Sequence, residues 1–153
     1  MDLILWRHAE ALDPDEAQDD LDRPLTSKGE RQAARVAAWL GRQLPSSARV
    51  LVSPARRAQQ TAAALDRKFK TVPAIAPSGT VDALLAAARW PESREPVLVV
   101  GHQPTLGLAA SYLLCGQPLA WTLRKGGVVW LRHRRRGDDE QVLLVAALAP
   151  ELL

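Results

Sequence analysis

A chain of 153 residues, 47% hydrophobic and 24% charged, has the size and composition of one soluble globular unit, long enough to bury roughly 70% of its unfolded surface. Its one cysteine, Cys115, excludes an intramolecular disulfide and a cysteine-ligated zinc cluster; in the apolar run Tyr112–Cys115 it reads as a small buried hydrophobe in a reducing compartment. The net charge of +3 comes from an early acidic cluster and a late arginine cluster rather than a basic stripe with interleaved aromatics, which argues against nucleic acid.

No apolar run approaches the ~20 residues of a membrane span. The chain opens on a short strand-like run with no basic region before a long apolar stretch, so no secretory signal is read and a cytoplasmic location is expected.

Taken in order, Leu3–Trp6 is a strand that leads straight into Arg7 and His8. Asp13, Asp15, Glu16, Asp19, Asp20 and Asp22 form an acidic segment, read as a solvated loop that contacts a partner's basic surface. It fails the calcium-loop pattern, with Gln18 at the sixth position and Leu25 at the twelfth. Ser27-x-x-Glu30 reads as a capping box for a helix with Ala33, Val36, Ala37, Leu40 and Leu44 on one stripe, ended by Pro45. Val50–Val52 is a second strand. Ser53 then reads as a helix cap with Pro54 as the first helical residue, and Ala58, Ala62, Leu65 and Phe69 carry the helix to about Phe69.

Val81, Leu84, Leu85 and Ala88 predict a shorter helix stopped by Pro91. Val97–Val100 is the strongest strand signal, turned by Gly101-His102-Gln103-Pro104, and Leu106, Ala109, Ala110 and Leu113 mark a helix closed by Gly116. Val128–Leu131 and Val142–Ala146 are two late strands. The tip between them, from Arg132 to Glu140, is read as a solvated charged hairpin, His133 included.

Short apolar runs alternating with amphipathic stretches are the α/β signature. Leu3–Trp6, Val50–Val52 and Val97–Val100 are continuously apolar, as strands buried on both faces are. Each is followed at once by polar chemistry, and α/β sheets bind ligands at the carboxyl ends of their strands. If the three ends converge, one pocket holds two imidazoles, the Arg7 guanidinium, a helix amino terminus and Arg56 or Arg57 from its first turn. That set favours a phosphate. A neutral imidazole is a nucleophile toward phosphorus, and neighbouring arginines keep it neutral. Three histidines without a helical HExxH leave no recognisable metal ligand set. Trp6 is close enough to line the site's wall.

Arg7-His8-Ala9 after an apolar strand, the segment from Ser53 to Thr61, and Gly101-His102-Gln103-Pro104 resemble the three motifs of the histidine phosphatase superfamily. The small size, Arg23-Pro24-Leu25-Thr26-x-x-Gly29 and the Lys125-Gly126-Gly127 turn are similar to the SixA-type phosphohistidine phosphatases, over nearly the whole chain. The resemblance implies one domain over 1–153, a three-layer α/β/α sandwich with a mostly parallel, phosphoglycerate-mutase-like sheet, and no cofactor or metal. It implies His8 as phosphoryl acceptor, Arg7 and Arg57 as phosphate ligands, and His102 as the group that holds the phosphoryl and stabilises the transition state. Arg56 is then a surface residue. Arg23 either reaches into the site or anchors the loop before the helix. Ala9 replaces the family's usual glycine, and the carboxylate general acid of many members is missing between Val72 and Thr80, Asp82 being the nearest.

The expected substrate is therefore phosphohistidine on a partner protein, such as a histidine-containing phosphotransfer domain. A small phosphorylated metabolite is the alternative within catalysis. A non-catalytic phosphate- or nucleic-acid-binding module is the alternative of another class. The oligomeric state is not legible.

Overall fold

The computed structural model describes residues 1–15 and 19–153; Glu16 and Gln18 of the acidic segment lie outside the described residues. Six strands form one sheet: β1 (Asp2–Arg7), β2 (Arg49–Val52), β3 (Lys70–Thr71), β4 (Val97–Gly101), β5 (Val128–Arg136) and β6 (Asp139–Leu148). Their order is β3-β2-β4-β1-β5-β6, with β3, β2, β4 and β1 parallel and β5 and β6 antiparallel at one side. The four helices are α1 (Ser27–Gln43), α2 (Arg56–Ala63), α3 (Val81–Ala88) and α4 (Thr105–Cys115).

Alternate residues of the central strands face opposite layers, as the two-residue period of a strand requires. Ile4, Trp6, Val50, Val52, Leu98 and Val100 pack with Val36 and Leu40 of α1 and Ala58 and Ala62 of α2. Leu3, Leu5, Leu51, Val97 and Val99 pack on the other face with Leu84 of α3 and Leu106, Ala109 and Ala110 of α4. A sheet buried on both faces explains why these strands read as unbroken apolar runs, and β4 is buried along its whole length. The result is the expected α/β/α sandwich with a mostly parallel sheet.

Several local expectations are corrected. The cap of α1 is Thr26, whose hydroxyl accepts from the Gly29 amide at 2.9 Å, rather than Ser27. Helix α2 starts at Arg56, not Pro54, and Ala55 takes the cap position, its amide donating to Ser53 Oγ at 3.1 Å. It ends at Ala63, well short of Phe69. Amides of Ala64, Leu65 and Asp66 bond three residues back, and Asp66 turns to a left-handed φ of 53°. Leu65 and Phe69 still reach the core, so their helical spacing reflects burial along a turn and loop. Helix α3 stops at Arg89, which is left-handed at φ 55°, before Pro91 is reached. Cys115 is exposed at the end of α4, where its thiol donates to the Ser111 carbonyl at 3.1 Å. His133 is not solvated: its side chain is 14% exposed and meets Trp90 edge-on at 5.7 Å.

Candidate active site

The parallel strands β2, β4 and β1 lie side by side, and their carboxyl ends deliver Ser53, His102 and Arg7-His8 to one place. They open onto a cavity of about 230 Å³ lined by Arg7, His8, Arg23, Arg57 and His102, with Asp13 and Lys125 also at its wall. Arg7, His8, Arg23, Arg57 and His102 thus meet at one cavity.

The position of His8 is over-determined. Its amide donates to the Gly101 carbonyl at 3.0 Å, and its own carbonyl accepts from the Gly126 amide at 3.0 Å. Gly126 sits at φ +73°, a left-handed conformation open to glycine, in a turn that brings its amide onto His8 and its carbonyl onto Trp6 Nε1. The next residue, Ala9, donates its amide to Thr61 Oγ1 at 3.0 Å, which links the first motif to α2. Gly29 is fixed by contact: a Cβ there would stand 2.0 Å from the Glu10 carbonyl oxygen, two residues past His8.

His8 Nδ1 lies 2.7 Å from the Ala9 carbonyl oxygen. A carbonyl only accepts, so the ring proton sits on Nδ1 and Nε2 carries the free lone pair. The His102 ring lies 5.1 Å from that of His8, tilted by 54°. Its Nε2 is 2.7 Å from Ser53 Oγ, which accepts from the Ala55 amide at 3.1 Å, while its buried Nδ1 has no protein partner among the described residues. Burial first, then the charges of Arg57, Arg7 and Arg23, pull the His8 pKa down to about 4. Burial and then His8 and Arg57 pull His102 down to about 3. Both rings are neutral at physiological pH.

Arg57 is 3% exposed and Arg56 is exposed, in line with the sequence reading. Burial pushes the Arg7 and Arg57 pKa values down from the ordinary arginine range. Arg7 donates through Nη1 to the Leu123 carbonyl at 2.7 Å. The fork of Arg57 is held by a residue the sequence reading left in a solvated loop. Nη1 donates to the Asp20 carbonyl at 2.7 Å and Nη2 to its carboxylate at 3.1 Å. Arg23 joins the same carboxylate through Nε at 3.0 Å and donates to the Leu12 carbonyl at 2.7 Å. Arg23 thus both lines the cavity and ties down the segment before α1. Asp20 opens a 3-10 turn (Asp20–Asp22) capped by Asp19, so this stretch of the acidic segment is folded onto the arginines. Desolvation raises the Asp20 pKa, but the hydrogen bond and charge of Arg57, with Arg23, outweigh it and hold it below the usual carboxylate range.

Two further expectations change. Trp6 is fully buried in the layer under α1 and does not line the cavity. Asp82 is exposed in the first turn of α3 and is absent from the wall, whereas Asp13 is part of it. Ser53, Asp20, Asp13 and Lys125 are the site residues sequence reasoning missed. Ser53 and Lys125 lie in the sequence motifs, where they were given no role of their own, and Asp13 and Asp20 lie in the acidic segment.

The fold and this cluster of two neutral imidazoles and three guanidiniums define an α/β/α protein with a cationic, histidine-bearing cavity at the carboxyl ends of its parallel strands. Residues 3–79 match the model of the histidine phosphatase superfamily (branch 1), and the chain belongs to that superfamily. It is 38% identical over 95% of its length to an uncharacterised protein of Picosynechococcus, of which 96% is covered. It is 34% identical to the phosphohistidine phosphatase SixA of Escherichia coli, covering 76% of each chain. The structure of the protein histidine phosphatase SixA complexed with tungstate superposes with a TM-score of 0.80 at 26% identity, over 99% of both chains. The chain is a SixA-like phosphatase.

Proposed function

We propose that the chain removes phosphate from phosphohistidine on a partner protein, through a covalent intermediate on His8, without a metal. The observation that carries this reading is the 2.7 Å contact from His8 Nδ1 to the Ala9 carbonyl oxygen. It aligns the ring and leaves Nε2 free in a cavity walled by arginines. Tungstate is a tetrahedral oxyanion like phosphate, so the tungstate complex of a similar protein supports an anion in this cavity.

In the first half-reaction Nε2 of His8 attacks phosphorus and the bond to the substrate's imidazole nitrogen breaks. The released imidazole takes a proton from solvent. In the second, water attacks phosphorus, the His8–phosphorus bond breaks, and inorganic phosphate leaves. Arg7 and Arg57 hold the oxygens on which charge builds. Ser53 accepts the Ala55 amide and gives its own proton to His102 Nε2, which leaves the His102 proton on Nδ1 as a donor for the phosphoryl group. An imidazole leaving group needs no enzyme acid, which suits a wall without the family's carboxylate.

A second reading follows from Asp13. A carboxyl group at the wall that protonates an alkoxide would permit phosphomonoesters of small metabolites, at the 10²- to 10⁴-fold gain that general acid catalysis gives, as a rough scale. The test is the dependence of kcat/KM on leaving-group pKa with EDTA present throughout. A steep decline, with phosphohistidine and aryl phosphates fast and phosphoserine slow, is expected. A flat profile that Asp13→Asn makes steep would establish the metabolite reading, and loss of turnover in EDTA restored by a divalent ion would remove the metal-free mechanism. Ser78→Glu is the substitution to supply a missing acid, since Ser78 is exposed whereas a Cβ at Gly79 would stand 2.4 Å from the Ala74 carbonyl oxygen.

A further inference from the structure

Outside the cavity, α1 carries Lys28, Arg31 and Arg35 at i, i+3 and i+7, all exposed. At 1.5 Å per residue this is a row of cations about 10 Å long on one helix face. Two shallow concavities connect the row to the active site. One is lined by Lys28, Arg31 and Arg35 together with Glu151; the next shares Lys28 and Glu151 and adds Glu10, Arg124 and Lys125. Lys125 is also a wall residue of the catalytic cavity. The cations therefore form one continuous belt that ends at the phosphate site.

The belt is under-neutralised. Glu10 stands 4.0 Å from Lys28 and Glu151 stands 3.6 Å from Arg124, while Arg31, Arg35 and Lys125 have no ion-pair partner among the described residues. Arg31 and Arg35, four apart, repel one another on the helix, so the row does not serve helix stability. It is also fixed relative to His8. Gln32 Oε1 accepts the Glu10 amide at 2.9 Å, and the Gly126 amide beside Lys125 is bonded to the His8 carbonyl. A partner lying on the belt would hold its phosphoryl group in register with the nucleophile.

We propose that this belt docks an acidic surface of the phosphorylated partner protein, with carboxylates flanking its phosphohistidine. The inference rests on the phosphohistidine reading above and deepens it. No aromatic side chain lines the two concavities for a base to stack on, which favours an acidic protein surface over single-stranded nucleic acid.

The experiment uses synthetic peptides with one phosphohistidine flanked by glutamates, glutamines or lysines, with phosphoramidate as the small substrate. The glutamate peptide should exceed the glutamine peptide in kcat/KM by about tenfold at low salt, the lower end of electrostatic steering, and the advantage should shrink as salt is raised. Arg31→Glu with Arg35→Glu should abolish or invert the order, Arg31→Gln with Arg35→Gln should reduce it, and both should hydrolyse phosphoramidate at the unaltered rate, which also reports an intact fold. Equal rates on the peptides, or a glutamate preference that survives both variants, would overturn the docking surface and leave the phosphohistidine reading standing. Hydrolysis of phosphoramidate but of no phosphohistidine peptide would overturn both. Stronger inhibition by single-stranded DNA than by the unphosphorylated glutamate peptide would assign the belt to nucleic acid and overturn the proposal.

Discussion

Two parts of the molecule are rich in arginine, and they use it in opposite ways. In the β5–β6 hairpin three guanidiniums are answered by a neighbour across the ladder or at its edge. Arg132 meets Asp2 at 2.7 Å, Arg134 donates to Gln141 at 3.2 Å, and Arg135 pairs with Glu140. Arg135 is 63% exposed, and pairs of that kind contribute little to stability. At the strand ends, Arg7, Arg23 and Arg57 arrive from three separate segments and border a cavity, with Arg57 buried under a single carboxylate. Cations with local partners on a wet surface make a solvated tip. Cations drawn from distant segments to the wall of one cavity are the arrangement that the proposed phosphate site requires.

The comparison can be broken most severely at the nucleophile. His8→Ala should lower turnover by at least about a thousandfold, as removal of a nucleophile does. Labelled substrate should leave an acid-labile, base-stable phosphoenzyme in the parent that the variant lacks. Label on His102 or on an aspartate would remove the assignment.

Next in size is the contrast between arginines. Arg57→Ala should cut kcat/KM by about 10²-fold, in the range of 2–5 kcal/mol for a buried charge that loses its partner. Arg56→Ala and Arg135→Ala should stay within about twofold, as exposed positions do. Parity between Arg57 and Arg135 would erase the distinction between the two regions.

Asp20→Asn sharpens it further. The carboxylate of Asp20 occupies the Nη2 side of the Arg57 fork at 3.1 Å and would repel a bound phosphate. Inorganic phosphate should inhibit the variant several-fold more strongly. Weaker inhibition would mean that Asp20 serves chiefly to position Arg57.

The smallest expected effect concerns pH. With its pKa near 4, the His8 ring should stay neutral between pH 7 and 5, and its ring-carbon NMR shift should be flat there. The linkage sign follows. Below about 6.5 the unfolded chain binds protons that the folded rings refuse, so both histidines leave stability untouched above neutrality. They withdraw it as pH falls from 6.5 toward 4 for His8 and 3 for His102. A His8 midpoint near 6.5 would show a ring open to water.

Much of this was legible in the amino-acid order, because the decisive pattern is local. Leu3–Trp6, Val50–Val52 and Val97–Val100 are uninterrupted apolar runs with polar residues directly behind them, and the structure sets those residues side by side at the carboxyl ends of β1, β2 and β4. The residues alone left Arg56 or Arg57 open; the resemblance to the family motif chose Arg57, and the burial of Arg57 beside an exposed Arg56 agrees with that choice.

Properties that depend on which distant groups meet were not legible. Ser53 has the sequence context of a helix cap, but its hydroxyl, besides accepting from the Ala55 amide, also lies 2.7 Å from Nε2 of His102, 49 residues away. Asp20 sits in a run of carboxylates and is singled out only because the buried guanidinium of Arg57, 37 residues on, reaches its half-exposed carboxylate. His133 in a string of arginines is covered by Trp90, and Cys115 in an apolar run falls on the exposed end of α4. Periodicity and short motifs encode burial and local turns, so five of the six strands, the four helices and the two histidines could be read directly, whereas the exposed two-residue β3 carries no apolar pattern. Hydrogen bonds and charge pairs between remote residues are made only when packing brings them together, so tertiary structure alone decided how the arginines are held and which ring nitrogen is free.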